Sequence, residues 1–214
     1  MIERSWTTGS IKNWNVVSLL RQQAQKYGDR TFITFESGAA LTFQELDRKS
    51  DEFALALKNF GIIANDRIFC VLKNSPDFLI SMFGIMKSEA VFVPINTELK
   101  GVFLQHQFTN CAPKMVIVEQ SLVKAFAGLN PLEASLGGVI ISGTTEVLDL
   151  PRALRAEEIH CFVDFMAESV DFQLVPSRLQ FIQYVRLCTH LARQGLQRVF
   201  CCLTAIFSLM RLVR

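Results

Sequence analysis

Helical and extended hydrophobic patterns alternate along the first two thirds of the chain. The first is a helical stripe that ends near Gly28, with Asn13 or Asn15 as its N-cap. The residues of this stripe are Trp14, Val17, Leu20, Ala24 and Tyr27. The period then falls to two over 31–35 and 41–43, with Ser37-Gly38 between them, which predicts a β-hairpin.

A second helix is predicted to begin directly after the hairpin. Thr42 stands three residues before Glu45, the spacing at which a hydroxyl and a carboxylate satisfy each other's free backbone amides. Gly61 ends the predicted helix. Its apolar stripe consists of Leu46, Phe53, Leu57 and Phe60.

Two buried strands then flank a third helix. Residues 67–72 and 90–95 are almost continuously apolar, whereas 76–88 has helical length and begins with Pro76. A strand, a helix and a strand within about 30 residues are typical of a βαβ unit, with parallel strands and a right-handed crossover.

A helix over 99–110 and a strand over 115–118 continue this alternation, which 121–128 and 138–141 repeat more weakly. The elements together predict an α/β fold, with a mostly parallel sheet flanked by helices. Residues 142–176 show little periodicity and are predicted to form a surface excursion. The alternation of residues 179–184 predicts one more short strand.

The composition changes near residue 171. All 20 acidic residues lie at or before Asp171, whereas six arginines and no lysine follow it, so the last part of the chain is strongly basic. The longest apolar run, 199–210, is shorter than the ~20 residues that a membrane span needs. The mixed, polar start and six cysteines without a pairing pattern favour a cytoplasmic protein with reduced thiols.

Four short blocks carry a family resemblance. They read LTFQEL at 41–46, FGI with DRI at 60–68, NSPDF at 74–78 and GIMKSEAVFVPIN at 84–96. In this order they resemble the N-terminal part of the AMP-forming acyl-CoA synthetases, within the adenylate-forming enzymes, and they look most like short-chain and carnitine-type CoA ligases. The resemblance covers residues 14 to about 184. We interpret the blocks as scaffold, in which Gly61 ends a helix and Pro94 and Asn96 shape a strand exit.

The resemblance implies a two-step reaction on a carboxylic acid, with ATP, magnesium and CoA as cofactors. The phosphate loop of that family is rich in Gly, Ser and Thr, contains a Lys, and directly follows a strand like 179–184. Here residues 185–190 read VRLCTH instead. The sequence therefore does not predict that this chain binds these cofactors, and we assign it no catalytic, cofactor-binding or metal-binding residue.

One other segment has the composition of a phosphate loop. Ser142-Gly143-Thr144-Thr145 offers hydroxyls and a glycine, but Glu146 and Asp149 follow and no Lys is nearby, so a solvated turn is the better interpretation.

The remaining candidates are weak. His160-Cys161 lacks a second ligand pair for zinc, and His106 and His190 have no recognisable triad partner. The adjacent Cys201-Cys202 are expected to pack rather than react.

We therefore predict a partial AMP-binding domain over 1–184 and an Arg-rich apolar tail over 185–214, which a frameshift or alternative splicing would explain. Two functions stay open: a truncated acid–CoA ligase that is inactive alone, and a non-catalytic fragment that binds a partner or a membrane surface through its tail. Exposed sheet edges predict self-association. Few aromatic residues accompany the tail arginines, so no nucleic-acid partner is expected.

Overall fold

The computed structural model describes residues 15–145 and 149–167. The predicted strand at 179–184 and the tail over 185–214 lie outside these ranges. The helices are α1 (Val16–Tyr27), α2 (Phe43–Asn59), α3 (Pro76–Lys87), α4 (Gly101–Cys111) and α5 (Phe162–Ala167). The strands are β1 (Thr31–Thr34), β2 (Ala40–Thr42), β3 (Arg67–Val71), β4 (Val91–Pro94), β5 (Met115–Glu119), β6 (Leu136–Ser142) and β7 (Ala156–Cys161). Two 3-10 helices cover Gln120–Phe126 and Arg152–Leu154.

The centre of the fold is a five-stranded parallel sheet in the order β4-β3-β5-β6-β7. Strands β1 and β2 form the predicted antiparallel hairpin beside it. From β3 the chain first adds β4 on one side and then returns to add β5, β6 and β7 on the other. The predicted α/β class, with a parallel sheet flanked by helices, is confirmed.

Each face of the sheet has its own hydrophobic core. On the first face, α1, α2, α3 and α5 pack against the alternate side chains Ile68, Cys70, Phe92, Ile117 and Ile140. On the second face, α4 and the two 3-10 helices cover Phe69, Val71, Val93, Val116 and Val139. Because both faces are covered, the central strands are apolar throughout, as the sequence indicated.

Local contacts and backbone conformation confirm the predicted start of α1 and both predicted ends of α2. The backbone N–H of Ser18 donates to Asn15 Oδ1 at 2.6 Å. Thr42 and Glu45 form the reciprocal capping box, with Glu45 N to Thr42 Oγ1 at 3.1 Å and Thr42 N to Glu45 Oε2 at 3.0 Å. Gly61 follows α2 with a φ of 94°, the left-handed conformation that ends helices.

One prediction is wrong: residues 142–176 are not simply a surface excursion. Strand β7 pairs with β6 as the fifth strand of the sheet, and α5 buries Phe162 and Phe165 against Phe53 of α2. The pattern concealed β7 because it lies at the edge of the described sheet and exposes Glu157 and Glu158. Within the described ranges, no helix combines the length and apolar character needed to cross a membrane.

Helices α2 and α3 approach closely around Gly84. A Cβ atom at this position would lie 2.7 Å from Phe53 Cδ1 and 3.1 Å from the carbonyl oxygen of Ser50, so only glycine fits without displacement. Gly84 belongs to the longest of the family-like blocks, and its role is to allow this helix contact.

A buried ion network joins the same helices three residues further on. The Lys87 side chain is 1% exposed, and its Nζ lies 2.6 Å from Asp47 Oδ1 and 2.9 Å from Asp51 Oδ1. The ammonium also donates to the carbonyl oxygen of Asp47 at 2.7 Å. Arg21 of α1 contacts Asp51 Oδ1 at 3.1 Å, so one cluster joins α1, α2 and α3.

Gly84→Ala should destabilise the fold by about 1–3 kcal/mol, because the added methyl overlaps Phe53 and Ser50. Ser81→Ala, one turn earlier, is the matched control: Ser81 Oγ is buried without a hydrogen-bond partner among the described residues, so its removal should be neutral or stabilising. Urea denaturation of both variants measures the difference, and equal stabilities would contradict the close-approach interpretation.

Lys87→Met should cost roughly 2–4 kcal/mol, because it leaves the Asp47 and Asp51 carboxylates without their shared cation in a partly buried site. Arg48→Met breaks the exposed Arg48–Glu52 pair and should cost at most about 1 kcal/mol. Chemical denaturation of both compares a buried with an exposed ion pair, and a Lys87 variant as stable as the Arg48 variant would show that the network is dispensable.

Candidate functional site

The carboxyl ends of the parallel strands are the place where a ligand crevice is expected. In doubly wound sheets, ligands bind where the strand order reverses direction. Here the chain leaves β3 toward β4 on one side and β5 lies on the other, so the reversal falls between β3 and β5. The polar side chains at this edge form the candidate site.

Three residues make a hydrogen-bonded cluster across the β3/β5 reversal. Lys73 follows β3, Glu119 ends β5, and Ser121 lies two residues further on. Lys73 Nζ lies 2.8 Å from Glu119 Oε1 and donates to Ser121 Oγ at 2.9 Å. Ser121 Oγ donates to Glu119 Oε1 at 2.5 Å, and the backbone N–H of Lys73 donates to Glu119 Oε2 at 3.2 Å.

A second contact joins the start of α3 to the end of β6. Ser142 Oγ donates to Asp77 Oδ2 at 2.6 Å. Ser142 is buried, and Asp77 is in the first turn of α3, whose N-cap Ser75 accepts from the backbone N–H of Phe78 at 3.2 Å. The contact therefore connects residues 65 positions apart, at the carboxyl end of the strand that neighbours β5.

The pKa values of Asp77 and Glu119 are shifted in opposite directions. Burial raises the pKa of Asp77, with a smaller contribution from the nearby Glu119 charge, while the Ser142 hydrogen bond and Lys49 oppose the rise. Burial also acts to raise the pKa of Glu119, but the hydrogen bonds from Lys73 and Ser121 outweigh it, and the pKa is lowered. The hydrogen bonds therefore favour the charged form of Glu119, whereas burial makes the charged form of Asp77 less favourable than that of an exposed aspartate.

Ser142-Gly143-Thr144-Thr145 is only in part the solvated turn that the sequence predicted. Gly143 and Thr145 are exposed, but Ser142 is buried and bonded to Asp77. The Asp77 carboxyl adds negative charge beside this segment, which strengthens the case against a phosphate loop.

The other sequence candidates do not converge on a site. His160 Nε2 lies 3.2 Å from Glu158, Cys161 is buried, and His106 contacts Asn110 of its own helix. No group of three His, Cys, Asp or Glu side chains able to hold a metal occurs in 15–145 and 149–167. His190, Cys201 and Cys202 lie outside these ranges.

Burial makes the thiols of Cys70 and Cys111 poor nucleophiles. It raises the pKa of Cys70 well above its ordinary value and that of Cys111 to about 12.

The sequence analysis missed Lys73, Asp77 and Glu119 as a group. Lys73 and Glu119 each directly follow a predicted strand, and Asp77 lies in the first turn of a predicted helix, so the sequence carried a signal for all three residues. What the pattern could not supply was the order of the strands, which makes β3 and β5 neighbours.

Comparisons with known proteins give one family match and a set of similar proteins. Residues 20–184 match the AMP-binding enzyme family. The chain is 28% identical to surfactin synthase subunit 1 of Bacillus subtilis over 144 residues, 67% of this chain and 4% of that protein. It is 25% identical to the medium/long-chain-fatty-acid–CoA ligase FadD6 of Mycobacterium tuberculosis over 146 residues, 66% of this chain and 24% of that protein.

A solved structure shows the same fold. The anthranilate CoA ligase AuaEII in complex with anthranoyl-AMP matches with a TM-score of 0.60 and 21% identity. The match covers 77% of this chain and 30% of that ligase. The chain thus spans less than a third of the length of the proteins it matches here.

Asp77→Asn should stabilise the protein at neutral pH, by roughly 1 kcal/mol or less. The Asp77 pKa is raised in the folded state, so its contribution to stability is fully present below the unfolded pKa and is lost as pH rises through the folded pKa. The amide of asparagine does not ionise, so the variant avoids that loss. Its free energy of unfolding should therefore approach that of the parent at acid pH. Thermal unfolding between about pH 3 and 8 measures this.

Two further variants control the Asp77 experiment. Asp29→Asn changes an exposed aspartate and should show no comparable gain at neutral pH. Ser142→Ala removes the hydroxyl that Asp77 accepts from and should destabilise at neutral pH. A gain for Asp77→Asn that is the same at every pH would contradict the titration argument.

Proposed function

The chain belongs to the AMP-binding enzyme family, and on that premise we propose that it descends from an ATP-dependent acid–CoA ligase. In such a ligase a carboxylate attacks the α-phosphate of ATP, which forms an acyl-adenylate and pyrophosphate, and the CoA thiol then displaces AMP. The observation that carries the proposal is the family match over 20–184, across all elements from α2 to α5. The matched acyl- and aryl-CoA ligases support a carboxylic acid as the substrate class.

The described residues do not fit the phosphates of ATP. At the sheet edge, Lys73 is engaged by Glu119, and Ser142 is engaged by Asp77. A nucleotide phosphate there would face two carboxyl groups, and no metal-holding cluster lies in the described ranges to offset them. We therefore assign no step of adenylation to these side chains.

We propose further that this chain is inactive alone. The family-like residues end near 184, and the segment over 185–190 reads VRLCTH, where a loop of Gly, Ser, Thr and Lys would be needed. Residues 15–145 and 149–167 would then act as scaffold for a site that they do not complete. Cys70 and Cys111 carry thiols rather than a disulfide, which supports the proposal of a reducing, cytoplasmic location.

A second candidate function is non-catalytic binding of a partner or a membrane surface. One observation favours it: Val102 and Phe103, in the first turn of α4, are 82% and 75% exposed. The basic, apolar composition of 185–214 is in keeping with such contacts.

ATP–pyrophosphate exchange with a panel of aliphatic and aromatic acids tests the proposal. The purified full chain should give no exchange above the rate without acid, while a complete acyl-CoA ligase assayed in parallel gives robust exchange. Acid-dependent exchange would refute inactivity and, at the same time, support the acid–CoA ligase assignment. Co-sedimentation with vesicles, for the full chain and for a chain ending at residue 184, tests the second function.

A further inference from the structure

We propose that Lys73 and Ser121 form a carboxylate-binding site in which Glu119 is the resident ligand, and that an external carboxylate binds there when Glu119 is displaced. The site would be self-occupied in the unliganded protein. Binding from solution is then a competition between Glu119 and the incoming anion for the same donors.

The donors contact both oxygens of one carboxylate. Glu119 Oε1 accepts from the Lys73 ammonium at 2.8 Å and from the Ser121 hydroxyl at 2.5 Å. Glu119 Oε2 accepts from the Lys73 backbone N–H at 3.2 Å. Contacts to both oxygens of one carboxylate define a planar, two-oxygen acceptor rather than a point charge.

The donors are held in place independently of Glu119. The Lys73 N–H belongs to the segment that leaves β3, and Ser121 lies in the 3-10 helix that follows β5. Strands β3 and β5 pair directly, with Val71 opposite Val118, so the sheet fixes the distance between the two segments. Lys73 Nζ also donates to Ser121 Oγ at 2.9 Å, which keeps both donors together when the carboxylate changes.

Access from solvent is open. The Lys73 side chain is 54% exposed and that of Glu119 is 21% exposed, so a small anion can reach the ammonium without unfolding of the edge. This edge is also the reversal point of the doubly wound sheet, where ligands of such folds bind.

The surrounding charge favours a small, singly charged anion. The charge of Glu119 disfavours the ionised form of the Asp77 carboxyl, and the charge of Lys49 on α2 favours it. A doubly charged phosphate would meet more of this repulsion than a carboxylate does. The inference does not rest on the proposed acid–CoA ligase function, because it concerns binding alone and requires no nucleotide.

Chemical rescue of Glu119→Ala in the full chain tests the site. Truncation leaves space beside Lys73 and Ser121, and acetate or propionate should occupy it. We expect acetate at about ten times its Kd to raise the melting midpoint of Glu119→Ala by several degrees. The parent chain should move by about a degree or less under the same conditions, because Glu119 already fills the site.

Three controls separate site binding from a general salt effect. Sodium chloride at equal ionic strength should not reproduce the rescue. The double variant Lys73→Met with Glu119→Ala should lose it, because the ammonium donor is gone. Inorganic phosphate should rescue less than acetate, and equal or stronger rescue by phosphate would overturn the carboxylate preference.

Three further results would each contradict the site. Equal shifts for the parent, Glu119→Ala and the double variant would show that acetate acts elsewhere. If Glu119→Ala is unfolded in chloride buffer, acetate should restore its folded circular dichroism spectrum, and failure to do so would overturn the proposal. In a folded variant, acetate should also shift the amide resonances of Lys73 and Ser121, and their constancy would overturn it equally.

Discussion

The contact between α2 and α3 is the constraint on which the rest of the structure depends. Gly84 lets the two helices approach until Phe53 and Ser50 fill the space a side chain would need, and Lys87 then places its ammonium between Asp47 and Asp51. Steric fit and charge pairing thus act on the same helix within one turn. Because Asp51 also binds Arg21, the position of α1 follows from the same cluster.

The orientation of α3 determines what reaches the sheet edge. The helix runs about 16 Å from Pro76 to Lys87, so fixing its C-terminal end against α2 also fixes where its first turn lies. That first turn carries Asp77, which reaches Ser142 at the end of β6. The packing of α3 against α2 at Lys87 therefore fixes the position of Asp77, 10 residues earlier in the chain, and with it the Asp77–Ser142 contact at the carboxyl edge of the sheet.

Much of this fold could be predicted from the sequence, because its signals are local. The Thr42–Glu45 capping box, the Gly61 helix end and the apolar strands around Phe69 and Phe92 each follow from a few neighbouring residues. Strand β7 could not be predicted in the same way, since an edge strand with two exposed glutamates lacks a continuous apolar pattern. The Lys73–Glu119 pair was also inaccessible, because it depends on strand order and spans 46 positions.

The family-like blocks are explained by packing rather than by chemistry. In the longest block, Gly84 serves the helix approach, Lys87 the buried ion network, and Asn96 a local turn in which its Oδ1 accepts from the backbone N–H of Glu98 at 3.0 Å. None of these contacts involves an exposed donor aimed at a ligand. The features that make this block recognisable are therefore met by packing contacts within the described residues. The described residues thus specify the scaffold by which the family is recognised, and a scaffold is physically distinct from the side chains that carry out a reaction.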